Sequence, residues 1–206
     1  MTAIGETDSG RAARPGSPEI GEHLRLRRHE LGLSLRELAD RLGVSASLIS
    51  QIERGRANPS VSTLYSIVQA LDVSLDELLF SEQRATSAEP PAGGPIQRGN
   101  ERHRIRLASG VLWERLTTVS EPGVEFLYVI YEVGGASSPE DAFQRHAGHE
   151  WGYVLSGTLT VTIAFRTYTL EPGDAVSLDS TTPHRLANLG DVPVHAIWFV
   201  LGRDSP

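Results

Sequence analysis

LSLRELADRLGVSASLISQIERGRANPS, residues 33–60, reads as two short helices joined by a tight turn, and the rest of the chain is arranged to hold it. Ser34 followed three residues later by Glu37 makes a capping box, so a helix is predicted to start at Leu35, with Leu35, Leu38, Ala39 and Leu42 on one apolar face. Gly43 ends it, because glycine tolerates the left-handed conformation that terminates a helix. Ser45 is a good cap for a second helix, whose buried face is Leu48, Ile49 and Ile52. Ala46, Ser47, Ser50, Gln51 and Arg54 point the other way and are small, neutral or hydrogen-bonding. A solvated helix would ordinarily carry Glu and Lys there, whereas one that enters the DNA major groove needs slim polar groups able to meet base edges.

With its spacing, the pattern SLRELA, LGVS, IS, IERG and PS resembles the helix-turn-helix of the XRE family of bacterial and phage repressors, over residues 17–80. The resemblance implies a lambda-repressor-like, five-helix DNA-binding domain in which residues 45–54 form the recognition helix. It places Ala46, Ser47, Ser50 and Gln51 against bases, with Gln51 best suited to a bidentate contact to adenine. It places Ser34, Arg36, Arg54, Arg56 and Asn58 against phosphates, where they set register and not sequence. The alternative is a small helical domain kept for protein contacts, since fold alone does not prove function.

The charge supports a division of labour. The net charge of -7 does not suit nonspecific nucleic-acid binding, but residues 17–58 carry seven Arg against six acids while residues 100–206 carry eight against thirteen. Only the first half suits phosphate. Lysine is absent, and so is cysteine, which fits a reducing cytoplasm and leaves no thiolate metal ligand. No apolar run has the length of a membrane helix. Residues 1–16 lack the apolar core of a signal peptide and read as a disordered tail.

Ser17, Pro18 and Glu19 start a first helix with Ile20, Leu24 and Leu31 as its buried stripe, while Arg25, Arg27 and Arg28 lie elsewhere on it, toward phosphate or solvent. Ser60 caps a fourth helix bearing Leu64, Ile67, Val68 and Leu71, and Ser74 with Glu77 caps a fifth. Residues 81–99, with Pro90 and Pro91, read as a linker. From residue 100 onward the period becomes two. Leu159, Val161, Ile163 and Phe165 alternate with threonines, and further strands are predicted at 124–133, 175–178 and 194–200. Short strands with Gly and Pro turns argue for an antiparallel barrel or jelly roll over residues 100–206, so the chain as a whole is α+β in two domains.

In that half, FQRHAGHEWGYVLSG and PGDAVSLDSTTPHRLAN resemble the two cupin motifs, through His146, Glu150, Gly157, Pro172-Gly173-Asp174, His184 and Asn188. The resemblance covers about residues 104–199 and implies a divalent metal held inside the barrel by three histidines and a carboxylate. Gln144 stands where the family has its first histidine, which leaves His146, Glu150 and His184, a two-histidine, one-carboxylate set, with Gln144 as a weaker fourth candidate. Three outcomes stay open: Fe, Mn, Ni or Zn with positions left for an effector, a small molecule without metal, or a vestigial polar cluster. His149, assigned to a turn, His195, outside both motifs, and outward-facing Arg145 are expected to be non-ligands.

Two functions follow. The first is a cytoplasmic transcription factor in which a cupin sensor, by binding a small effector, changes the affinity of a homodimer for double-stranded DNA with twofold-related half-sites. The second is a mononuclear non-haem iron enzyme, because the layout is similar to hydroxypropylphosphonate epoxidase. That resemblance implies a catalytic lysine from the helical domain, and this chain has none.

Overall fold

The computed structural model describes residues 18–73, 75, 78, 94–119 and 123–202. Four helices come first: α1 (Pro18–Glu30), α2 (Leu35–Leu42), α3 (Ala46–Glu53) and α4 (Val61–Leu71). Local chemistry sets their ends. Ser34 and Glu37 form a reciprocal capping box on α2, Gly43 closes it at φ 65°, and the hydroxyls of Ser45 and Ser60 accept the amides of Leu48 and Thr63. Leu75 and Leu78 are helical and buried, but the rest of the predicted fifth helix lies outside the described residues. So do the predicted tail and residues 81–93 of the predicted linker.

Two expectations for α1 are corrected. Leu31 falls beyond the end of the helix and is exposed, and Leu33 enters the core in its place. Arg28 faces neither phosphate nor solvent. It is buried, its Nε and Nη2 donating to the two carboxylate oxygens of Glu53 at 2.6 and 2.9 Å and its Nη1 to the Leu33 carbonyl at 2.7 Å. The fork of donors thus ties α1 to the last residue of α3. Gly21 lets the two helices approach, since a Cβ there would lie 2.5 Å from the Ile52 carbonyl oxygen.

Nine strands follow: β1 (Arg104–Leu107), β2 (Val111–Arg115), β3 (Val124–Tyr131), β4 (His149–Ser156), β5 (Leu159–Ile163), β6 (Arg166–Leu170), β7 (Ala175–Asp179), β8 (His184–Ala187) and β9 (Val194–Leu201). They form a six-stranded sheet in the order β1-β2-β3-β9-β4-β7 and a three-stranded sheet in the order β6-β5-β8, with every pairing antiparallel. Alternation along β3, β5 and β9 sends Val129, Val161, Ala196 and Val200 into a common core. Phe165 departs from its expected place on that pattern. Ala164 and Phe165 take φ of 46° and 70°, Ile163 pairs with Arg166, and Phe165 is left 78 % exposed. The strand ends two residues early because this pair makes the left-handed hairpin turn, without the Asn or Gly that usually marks it. His149 begins β4 and does not lie in a turn, as its pairing with Asp179 and Leu201 carries the ladder through it.

The helical and strand regions meet at the start of α4. A helix leaves its first amides without internal partners. Here the Val61 amide donates to the Ser109 hydroxyl at 3.5 Å and the Ser62 amide to the Ser137 carbonyl at 3.0 Å, while just before the helix the Pro59 carbonyl accepts from Ala108 at 2.9 Å. One turn on, the Tyr65 ring packs 5.7 Å from that of Trp113 on β2.

Candidate nucleic-acid interface and candidate metal centre

On α3, burial separates two faces. Ile49 and Ile52 are buried, Leu48 is half-buried, and Ser47, Gln51 and Arg54 are exposed with Ala46 and Ser50 beside them. The four residues assigned to bases therefore share the outer side of the helix. Gln51 Nε2 donates to Ser47 Oγ at 3.3 Å, a solvent-exposed bond that a base edge can replace at small cost. Of the residues assigned to phosphate, Arg36, Arg54 and Arg56 are exposed. Arg54 folds back so that its Nε donates to the Ser50 carbonyl at 2.9 Å. The Ser34 amide is already taken by Glu37 Oε2 at 2.8 Å, which holds the Glu37 carboxyl below its usual range. Asn58 is half-buried, with its Oδ1 shut away from solvent and unpartnered.

In the strand region, three separate pieces of chain bring His146, Glu150 and His184 together, with one ligand-type atom from each lying within 4.8 Å of the others. Glu150 is held mid-sheet, paired with Leu178 of β7 and Val200 of β9. His184 opens β8 and pairs with Ile163, and its backbone exchanges both hydrogen bonds with Gln144. His146 follows two residues later, anchored by its amide to the Ser180 carbonyl at 3.0 Å.

The imidazoles are oriented by backbone. Nδ1 of His184 lies 2.8 Å from the Thr182 carbonyl and Nδ1 of His146 3.0 Å from the Ala147 carbonyl. A carbonyl only accepts, so each ring carries its proton on Nδ1 and turns the lone pair of Nε2 inward. Both Nε2 atoms then meet Glu150 Oε1, at 2.8 Å from His146 and 3.3 Å from His184, without a well-aligned hydrogen bond. Burial alone would push the Glu150 carboxyl up, but hydrogen bonds and positive charge from His146 and His184, which a proton on Nε2 supplies, outweigh it and hold the group well below the usual carboxylate range. Such a convergence of lone pairs needs a cation, either an extra proton on an imidazole or a metal ion.

Gln144 completes the cluster. Its Nε2 donates to His184 Nε2 at 2.9 Å while its Oε1 is buried without a partner. Rotating the amide by half a turn brings that oxygen to the same point, where it could serve as a fourth ligand. His149, whose Nε2 meets the Ser177 hydroxyl at 3.0 Å, and His195, whose Nδ1 meets the Tyr128 hydroxyl at 2.8 Å, lie apart from the cluster. Arg145 is exposed. Asn188 is a staple, its Nδ2 donating to the carbonyls of Tyr131, Glu132 and Val192.

Three residues of this site were not recognised from the sequence. Trp198 donates from Nε1 to Glu150 Oε2 at 2.6 Å, which fixes the carboxylate and leaves Oε1 to the histidines. The indole fits because Gly152 lies opposite it on β4; any Cβ there would come 2.0 Å from the ring. The alternation of β9 would have turned Trp198 inward, so a signal existed. Tyr131 is buried near Glu150, and burial together with that negative charge pushes its phenol far up, so it stays neutral. Tyr65 of α4 lies with its ring 4.6 Å from that of His146, and nothing in the sequence pointed to it.

Comparison with known proteins agrees with both halves. Residues 24–78 match the helix-turn-helix family and residues 127–200 the cupin domain family. The chain is 26% identical over 168 residues to the HTH-type transcriptional regulator PuuR of Escherichia coli (strain K12), covering 82% of this chain and 86% of that one. It is 45% identical over 60 residues to the uncharacterized HTH-type transcriptional regulator y4dJ of Sinorhizobium fredii, covering 29% of this chain and 78% of the relative. An HTH_3 family transcriptional regulator from Vibrio cholerae shares the fold, with a TM-score of 0.64 at 23% identity over 90% of this chain and 96% of that one.

Proposed function

The chain belongs to the HTH-type transcriptional regulators, with a cupin domain following its DNA-binding domain, and from that premise we propose that it is a one-component sensor whose cupin holds a divalent metal. DNA binding resides in residues 17–80, joined through a linker at 81–99 to a sensor at 100–206. Ala46, Ser47, Ser50 and Gln51 read bases. Arg36, Arg54 and Arg56 meet phosphate, with Ser34 and Asn58 beside them. As a DNA-binding protein it works in the cytoplasm. No helix among the described residues is long and apolar enough to cross a membrane.

The observation that carries the metal assignment is the pair of imidazoles whose Nδ1 atoms face backbone carbonyls while both Nε2 atoms converge on one oxygen of Glu150. His146, Glu150 and His184 would hold the ion, with Gln144 Oε1 as a neutral fourth donor. This mixed nitrogen and oxygen set suits Fe, Mn, Ni or Zn. A bound ion would supply positive charge and free coordination positions for an oxygen-bearing small effector.

Two readers must also be held together. On the outer face of the six-stranded sheet Trp151 packs 5.7 Å from Phe199, which packs 6.0 Å from Phe126, with Tyr153 also exposed on the same strand as Trp151. This aromatic row is the proposed homodimer surface. The competing iron-oxidoreductase reading shares the donor set but has no lysine to fill the catalytic role that its resemblance implied.

The test is metal content. Purified protein loaded with Mn, Fe, Ni or Zn and desalted should retain about one equivalent, and the His146→Ala/His184→Ala double variant should retain none. Equal metal in both would remove this site.

A further inference from the structure

We infer that the sensor site is shared between the two domains: α4 supplies one of its walls, and Tyr65 is the positioning residue through which a divalent cation held there resets the DNA-reading helix. This rests on the metal assignment above.

Of the three proposed ligands, His146 is the one that lies outside a strand. Glu150 is locked mid-sheet and His184 is fully buried at the start of a strand, whereas His146, its side chain 8 % exposed, sits on irregular chain between Gln144 and β4. His146 Nε2 lies 2.8 Å from Glu150 Oε1, and a cation held between the two would draw them apart and turn the ring. The Tyr65 ring lies against that imidazole at 4.6 Å and 41° and has Trp113 on its other neighbouring side at 5.7 Å. Tyr65 is 9 % exposed, so it cannot yield to a reoriented imidazole without moving its helix.

His184 leads to the same helix by a second route. Two residues along β8, the Leu186 carbonyl accepts from the Ser137 amide and the Leu186 amide donates to the Ser137 hydroxyl, and the Ser137 carbonyl caps the Ser62 amide. Both histidines thus bear on the first two turns of α4. Upstream of those turns lies the short segment that joins α4 to α3 and carries Arg54, Arg56 and Asn58, and its Pro59 carbonyl is held by Ala108. A shift of α4 against the sheet breaks or reforms these bonds and re-aims the phosphate-contacting residues relative to the sensor. In a dimer that changes the placement of two readers, which is what a twofold operator senses.

The experiment uses full-length protein, an operator recovered from genomic DNA, and Mn(II) alone as the probe. Bound metal is counted by electron paramagnetic resonance, and operator affinity is measured with saturating Mn(II) and with chelator. The readout is the ratio of the two affinities for each protein, so a variant's own baseline cancels. Wild type should show a ratio of about fivefold or more in either direction, and Tyr65→Phe, which keeps the ring, should retain it. Tyr65→Leu should still bind Mn(II) but bring the ratio to within about twofold of unity. Hydrogen exchange of the Val61 and Ser62 amides in wild type, with and without Mn(II), gives a second readout that needs no variant, and protection there should change. A Tyr65→Leu ratio equal to wild type, or amide protection indifferent to bound Mn(II), overturns the coupling and leaves the metal site standing. Wild type that takes up no Mn(II) overturns the metal assignment, and this inference with it.

Discussion

The roles proposed for Gln51 and Arg56 differ although the two stand five residues apart. Gln51 presents an amide that can both donate and accept, a combination that matches the edge of adenine. Gln51→Ala should cost about 1–3 kcal/mol at the specific operator and relax base preference at one position, as read by binding to a set of single-base operator variants. An unchanged preference would mean that another residue reads that base. Arg56 is an exposed guanidinium on the segment after α3, and its proposed role is to meet charge and not sequence. Arg56→Ala should weaken all DNA alike and flatten the dependence of log affinity on log salt by about one unit, seen in a salt titration. Loss confined to one sequence would move Arg56 to the bases. In the cupin domain, the residue scale is set by Trp198, which donates to one oxygen of Glu150 and so leaves the other facing the histidines.

At the scale of elements, the recognition helix is short, with eight residues in α3, and a helix of that length does not hold itself in water. Its position comes from its neighbours. Gly21 lets α1 cross its C-terminal end, and Arg28 closes a two-bond ion pair with Glu53 between side chains that are each only 6% exposed. Arg28→Ala would strand a buried carboxylate and should cost about 3–5 kcal/mol, measured by denaturant unfolding. Arg28→Met with Glu53→Leu should recover most of that loss, because the pair's desolvation is then removed along with its attraction. A single variant within about 1 kcal/mol of wild type would show that the pair is hydrated and that packing alone seats α3.

Across the whole molecule, two arrangements have to coexist: sensor against reader within one chain, and one chain against another on DNA. The outer aromatic face of the six-stranded sheet is the proposed surface for the second, and its centre is Trp151 with the His149 ring 4.7 Å away on one side and Phe199 on the other. Trp151→Glu should convert the dimer to a monomer by light scattering. Affinity for an operator with two half-sites should fall by about 10²-fold or more, while affinity for a single half-site changes little, because avidity and not contact is lost. A variant that stays dimeric would place the interface elsewhere.

Much of this was legible in the chain itself. Ser34 with Glu37, Ser45, Ser60 and Gly43 marked the helix ends because capping acts within a few residues of the backbone it satisfies, and alternation marked β5, β7 and β9 because a strand's period is local. The metal-type set was legible by resemblance, through His146, Glu150 and His184 at their spacing. The hairpin turn at Ala164 and Phe165 was not, since neither residue advertises a left-handed backbone. What only the tertiary structure decided is who meets whom at a distance: Arg28 with Glu53, 25 residues apart; Trp198 with Glu150, 48 apart; and Tyr65 of the helical domain against His146 of the cupin domain. Those pairings depend on packing between elements, where a side chain's partner is set by its position in the core and by no pattern along the chain.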